Sequence, residues 1–213
     1  MTKTLSKKIL TVSLAALFGI AMIVSPIGAE AMGSFLDVKK AKITTDSTEF
    51  EQAKIETKAH IETIDAYGYG IISGAGLEAI AVTTTHGGVL DSEAQTDASD
   101  ASFHNHYVAL QNSGIGTGLC TGLEVRDITF EQPGDVEIKN KKAIMEDVPY
   151  YFAGTHSLSG DNISFLADGN VGAVVSFTIE PIFITVDEVE TIGAVCINDV
   201  LPTTDLKVKE SKH

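Results

Sequence analysis

Basic charge is scarce in this chain. Its 213 residues hold 15 lysines and arginines against 29 aspartates and glutamates, a formal net charge of −14, and Arg126 is the only arginine. Arginine's planar fork is the preferred bidentate partner of phosphate, and an acidic surface repels polyanions. Nucleic acid and phosphorylated substrates are therefore not expected as partners, and neither is anionic lipid. Catalytic signatures are missing as well: the chain contains neither G-x-S-x-G nor H-E-x-x-H. Gly114-Ile115-Gly116-Thr117-Gly118 lacks the lysine that would follow in a phosphate-binding loop, so these glycines read as a flexible surface loop. The acidic stretch from Asp91 to Asp100 lacks the residue order of an EF-hand, and a solvated loop is the simpler reading.

Long hydrophobic runs are absent too, except at the start. Lys3, Lys7 and Lys8 precede an uncharged stretch from Ile9 to Val24, which Ser25 and Pro26 break before Ala29-Glu30-Ala31. A basic lead, an apolar run and an A-x-A site, in that order, form the pattern of a cleavable secretory signal. Residues 1–31 are read as that signal, a helix ahead of the folded domain. The competing reading is a membrane anchor formed by residues 9–24, but a spanning helix needs roughly 17–25 apolar residues. The chain is expected to work in an extracytoplasmic setting, secreted or at the cell surface. Cleavage would leave 12 basic and 28 acidic residues. Such a surface attracts cations.

Amphipathic helices are also missing from residues 32–205, which are read as one domain. Short alternating or β-branched segments recur instead, separated by turn signals. They include Ala53–Glu62, Leu77–Thr85, His104–Gln111, Leu123–Glu131, Asp135–Lys139, Ile163–Leu166, Val171–Ile179, Ile182–Val186 and Ile192–Ile197. The expected fold is all-β, an antiparallel β-sandwich of about nine or ten short strands. Barrel and jelly-roll closures share the same sequence pattern. Tyr67–Gly70 and Gly74–Gly76 read as turn-rich, and Met32–Phe50 as a mixed lead-in. Pro133-Gly134 reads as the turn of a hairpin joining Leu123–Glu131 to Asp135–Lys139. Pro181 should end its strand or place it at an edge. Residues 206–213 read as a loose charged tail.

There are only two cysteines, Cys120 and Cys196. In an exported chain such a pair points to a disulfide, two free buried thiols being the alternative. Neither has a nearby His or Met in sequence, which argues against a blue-copper centre. Asn162-Ile163-Ser164 is an acceptor sequon for N-glycosylation in hosts that use it, and such tripeptides are also common by chance.

The sharpest chemical constellation is His104-Asn105-His106. On a strand, positions i and i+2 point the same way, so both imidazoles share a face with Val108 and Leu110. Two imidazoles so placed can share one metal ion. His86, ending an earlier strand, can supply a third nitrogen if the strands are neighbours. The acids between them, Asp91 first, can supply oxygen. Three nitrogens with a carboxylate suit zinc or copper. The plainer reading makes His104 and His106 ordinary half-buried strand residues. His60 and His156 are isolated and read as structural or solvated.

Some fragments resemble copper–zinc superoxide dismutase, a β-sandwich with a disulfide. Phe103-His104-Asn105-His106 is similar to that family's F-H-x-H, His86-Gly87-Gly88 to its H-G-G, and Cys196 lies near the C-terminus as its second cysteine does. The order of the two histidine motifs is reversed here. The family's H-G-D-L-G-N segment, late copper ligand and catalytic arginine have no counterpart. The resemblance implies only that similar ligand chemistry can be built on similar strands, and no family is assigned from it.

Two functional expectations follow. One is a non-catalytic extracytoplasmic protein serving in binding or surface architecture, with an extracellular protein or cell-surface partner and a metal ion at the H-x-H site. The other is a secreted copper or zinc metalloprotein with redox activity. They divide on whether His86, His104 and His106 converge.

Overall fold

The computed structural model describes residues 34–63 and 65–211. The expected signal, residues 1–31, lies outside them. Among the described residues no helix is long and apolar enough to cross a membrane. The described residues form thirteen strands: β1 (Val38–Thr45), β2 (Glu49–Thr57), β3 (Tyr67–Ile72), β4 (Ile80–Thr85), β5 (His104–Asn112), β6 (Leu123–Ile128), β7 (Asp135–Lys139), β8 (Lys142–Pro149), β9 (Tyr151–Thr155), β10 (Asn162–Leu166), β11 (Ala173–Val186), β12 (Val189–Pro202) and β13 (Leu206–Glu210).

The all-β class holds, but the architecture is more specific than a sandwich. Six strands close into an antiparallel barrel in the order β11-β12-β6-β5-β4-β3. A five-stranded sheet, β13-β1-β2-β8-β7, accompanies it, with β9 and β10 as a separate pair. The five-stranded sheet is mixed, because β13 runs parallel to β1. The segment expected as a loose tail thus adds a strand, and the mixed lead-in supplies β1.

There are two cores, one inside the barrel and one outside it. Ile80, Val82, Val108, Leu110, Val175, Phe177 and Ile197 form the inner cluster. The opposite faces of the same strands carry Tyr67, Tyr69, Ile71, Tyr107 and Val174. These pack in one cluster with Ile43, Phe50, Ile55 and Met145 of the sheet. Polar ties cross the same boundary: the Tyr69 hydroxyl donates to the Phe35 carbonyl at 2.9 Å and the Tyr107 hydroxyl to that of Pro149 at 2.8 Å.

Such double burial explains why Tyr67–Gly70, turn-rich by sequence, forms a strand. In Tyr67-Gly68-Tyr69-Gly70 the tyrosines alternate outward into the large core and the glycines face inward. A Cβ on Gly68 would lie 2.6 Å from the Thr83 carbonyl oxygen and 2.9 Å from Phe177 Cζ. Glycine here marks a close approach inside a barrel, one of the uses of glycine in a strand.

The expected hairpin around Pro133-Gly134 does not form. β6 belongs to the barrel, and β7 pairs with β8 in the sheet. Gly134, at φ +65°, turns the chain from one layer to the other. The Asn105 side-chain amide donates to the carbonyls of Pro133 and Asp135, both at 3.1 Å, and holds that crossing. Asn140, at φ 53°, makes the real β7–β8 turn.

Strand β6 also breaks its expected alternation. Its pairing with β5 shifts register, so that Ala109 faces Asp127 while Leu110 faces Val125. Arg126 is the extra residue of this bulge, and Val125 and Ile128 both pack against the inner cluster. Pro181 does not end β11, which continues beside β12 alone after leaving β3 at Thr178. The proline sits on that unpaired edge, where its missing N–H removes no ladder bond.

Candidate metal centre

The inner faces of β4 and β5 bring the histidines together. Antiparallel pairing sets Val82 opposite His106 and Thr84 opposite His104. His86, two residues past Thr84, continues the same inward row and lies diagonally across from His104. His104 and His106 are wholly buried at the start of β5, below Val108 and Leu110 on the same face.

Asp91 comes from the polar loop between β4 and β5. The Gln95 side chain accepts from the Asp91 main-chain N–H at 3.0 Å and donates to the Asp100 carbonyl at 2.9 Å. The Ser157 hydroxyl donates to the Asp91 carbonyl at 2.7 Å. The loop is thus pinned at the residue whose carboxylate turns inward. Its other acids have other partners. Glu93 accepts from the Gln132 main chain, Asp97 from Ser99, and Asp100 from Thr96 and Ser102.

Four side chains converge: His86, Asp91, His104 and His106, with all four ligand atoms within 4.8 Å of one another. His86 Nε2 lies 3.2 Å from His104 Nε2 and 3.3 Å from Asp91 Oδ2. Asp91 Oδ1 lies 3.4 Å from His104 Nε2 and 3.7 Å from His106 Nε2. A tetrahedral zinc with bonds of about 2.0–2.1 Å separates its ligand atoms by about 3.3 Å. The four separations of 3.2–3.7 Å lie near that edge length, within a group whose ligand atoms reach up to 4.8 Å from one another.

The main chain fixes how the rings face. His104 Nδ1 is 2.8 Å from the Ser102 carbonyl oxygen, and His106 Nδ1 is 2.6 Å from that of Thr129. A carbonyl only accepts, so each Nδ1 donates and each Nε2 is turned to the centre of the group. This is the outer-shell arrangement that orients metal-ligating histidines. Among the described residues three buried side-chain atoms have no hydrogen-bond partner, Asn105 Oδ1 and, within the cluster, His106 Nε2 and Asp91 Oδ1. The two in the cluster are acceptors, and such groups are costly to bury unpaired.

The electrostatics run the same way. Burial pushes the His106 imidazole down to about 4; the Asp91 carboxylate opposes this and the neighbouring His104 adds to it. Burial would raise the Asp91 carboxyl, but the His104, His86 and His106 imidazoles that face it hold it well below the usual carboxylate range. A neutral imidazole facing a charged carboxylate is the protonation state that metal ligation requires. The donor set and its spacing could hold a metal ion.

No known protein family, curated protein or solved structure matches the chain. The site therefore rests on its own geometry.

The other sequence-marked residues lie elsewhere. Cys120 and Cys196 form a disulfide, as expected, and such a bond fits an oxidising extracytoplasmic environment. It ties the loop after β5 to β12. That glycine-rich loop wraps the buried Glu124 carboxylate, which accepts from the Thr117 hydroxyl at 2.8 Å and from its main-chain N–H at 3.1 Å. Asn162 is exposed at the start of β10. His60 is exposed, and His156 Nδ1 accepts from the main-chain N–H groups of Leu158 and Ser159. Neither joins the cluster.

Sequence reasoning named the four converging residues but missed what orients them. Ser102 and Thr129 act through carbonyl oxygens, which every residue has, so no side-chain pattern announces them. It also missed a cavity of about 110 Å³ inside the barrel, lined by apolar side chains and reaching His86 and Asp91.

Proposed function

We propose that the chain is an exported, non-catalytic metal-binding protein that holds zinc through His86, Asp91, His104 and His106. The observation that carries this reading is the pair of buried, unpartnered acceptors, Asp91 Oδ1 and His106 Nε2, 3.7 Å apart. A divalent cation is the group that satisfies both at once. Three imidazole nitrogens and one carboxylate oxygen within 4.8 Å of one another suit zinc among the first-row ions; copper takes the same donors in a flatter arrangement. The expected secretory signal, the disulfide and the acidic surface support work outside the cytoplasm, where that surface raises the local concentration of cations. The expected protein partner at a cell surface is a further part of this proposal.

The deciding experiment is elemental mass spectrometry of the oxidised protein purified without added chelator, beside a His104→Ala/His106→Ala variant. About one zinc per chain in the parent, lost in the variant, supports the reading. Copper retained in preference to zinc would move it to the redox alternative. No retained metal after exposure to both ions would sink it.

A further inference from the structure

We infer that the barrel interior is a binding chamber for a small aliphatic monoanion, a short-chain carboxylate, whose head reaches the metal held by the four-residue cluster. This deepens the metal-binding reading and rests on it.

Continuity is the first observation. The strands beside the histidines also wall the cavity, because Val82 and Thr84 on β4 lead to His86 just past its end, and Val108 and Leu110 follow His106 on β5. His86 and Asp91 themselves line it. They are also the two members of the cluster that are not sealed off: their side chains are 11% and 12% exposed, whereas those of His104 and His106 are 0%. The accessible side of the cluster is thus the side that the cavity reaches.

Size and polarity come next. Beyond His86, Asp91, Thr84 and Ser157 the walls are apolar, among them Val82, Val108, Leu110, Val175, Phe177 and Ile197. At about 110 Å³ the space is somewhat smaller than the roughly 150 Å³ apolar cavity that accepts benzene. It suits a body of about four to six heavy atoms with no polar group beyond its head. Water has few partners there, since an ordered buried water needs about two to four.

Charge selects the head. Three neutral imidazoles and one carboxylate around a divalent ion leave one positive charge, in a water-poor site where uncompensated charge is costly. A single anionic head neutralises it, and a zinc-type centre can expand from four to five ligands. A second charge on the same ligand would lie among valines and phenylalanine and would be rejected.

The test uses the whole oxidised protein loaded with cobalt(II), whose visible absorption reports coordination number. Butyrate, as sodium salt, should shift and weaken the four-coordinate bands with a saturable, millimolar or tighter response. Succinate, with the same carbon count and a second carboxylate, should act at least tenfold more weakly. Val108→Phe, and the milder Val82→Leu, should retain the parent cobalt spectrum, which also shows that they fold, and should lose the butyrate response by tenfold or more. An unchanged spectrum at saturating butyrate, or equal responses to butyrate and succinate, would overturn the chamber while leaving the metal site standing. Failure of the parent to take up cobalt or zinc would overturn the metal reading, and the chamber with it.

Discussion

The His106 ring donates Nδ1–H to the main-chain carbonyl of Thr129 across 2.6 Å, and so turns its other nitrogen toward the Asp91 carboxylate. Thr129 is itself held on β5, since its hydroxyl accepts from the Tyr107 N–H at 3.1 Å and its own N–H donates to the Tyr107 carbonyl at 3.1 Å. The backbone beside the bulge in β6 thus sets the orientation of a candidate ligand on β5.

Metal removal should destabilise the fold. A ligand at 100 times its dissociation constant stabilises by about 2.7 kcal/mol. For a chain of this size that corresponds to a melting temperature lower by about 5 to 10 °C after chelation. Calorimetry with and without chelator checks it, and re-added zinc should restore the loss. Equal melting temperatures would argue that the cluster stands without a cation.

The carboxylate should matter as much as the imidazoles. Asp91→Asn keeps the shape but removes the charge that the cation needs. Zinc affinity should fall by at least about 100-fold, beyond what outer-shell changes usually cost. Competition with a chromogenic chelator measures this. Asp97→Asn, on the same loop but bonded to Ser99, should leave affinity unchanged.

Acid should release the metal and weaken the apo-protein. The folded value of His106, about 4, lies below its ordinary value of 6.5, so between them the unfolded chain binds more protons. Stability from this residue is full above pH 6.5 and is lost as pH falls toward 4, a loss on the order of 3 kcal/mol. The Asp91 contribution lies lower: it is present above the ordinary carboxylate range and is lost as pH falls through its depressed folded value. Urea midpoints of apo-protein at pH 7, 5.5 and 4.5 should therefore decline in that order. Zinc retention in the holo-protein should decline over the same span, because protons and metal compete for the same nitrogen.

Opening the disulfide should cost stability without moving the cluster. The bridge joins positions 76 residues apart, and closing a loop of that length is worth roughly 4 kcal/mol in the chain-entropy model. Cys120→Ser/Cys196→Ser should lower the denaturant midpoint accordingly while retaining zinc at neutral pH. Loss of zinc from a folded variant would show that the bridge and the site are coupled.

Gly68→Ala should be more damaging than an ordinary strand substitution. Its Cβ would meet the Thr83 main-chain oxygen at 2.6 Å, and a backbone atom cannot step aside as a side-chain tip can. Overpacking of this kind costs about 1–3 kcal/mol, measurable by denaturant titration. Gly87→Ala is the control, since its nearest neighbour would be 3.8 Å away.

Much of this molecule was legible as a one-dimensional pattern. Strand alternation determined the all-β class, and the i, i+2 spacing of His104 and His106 put both rings on one face with Val108 and Leu110. The even cysteine pair pointed to the disulfide that forms. These are local properties, fixed by the two-residue repeat of a strand and by covalent chemistry. Closure was not legible. The alternation of Tyr67 and Tyr69 with Gly68 and Gly70 makes sense only when Phe177, over a hundred residues away, fills the space that the glycines leave. Nor could the sequence choose between barrel and sandwich, since both bury alternate residues of short strands. Whether His86 and Asp91 would join the histidine pair was decided by tertiary structure alone. The register of β4 on β5 places one, a loop pinned through Gln95 and Ser157 places the other, and long-range hydrogen bonding and packing set both.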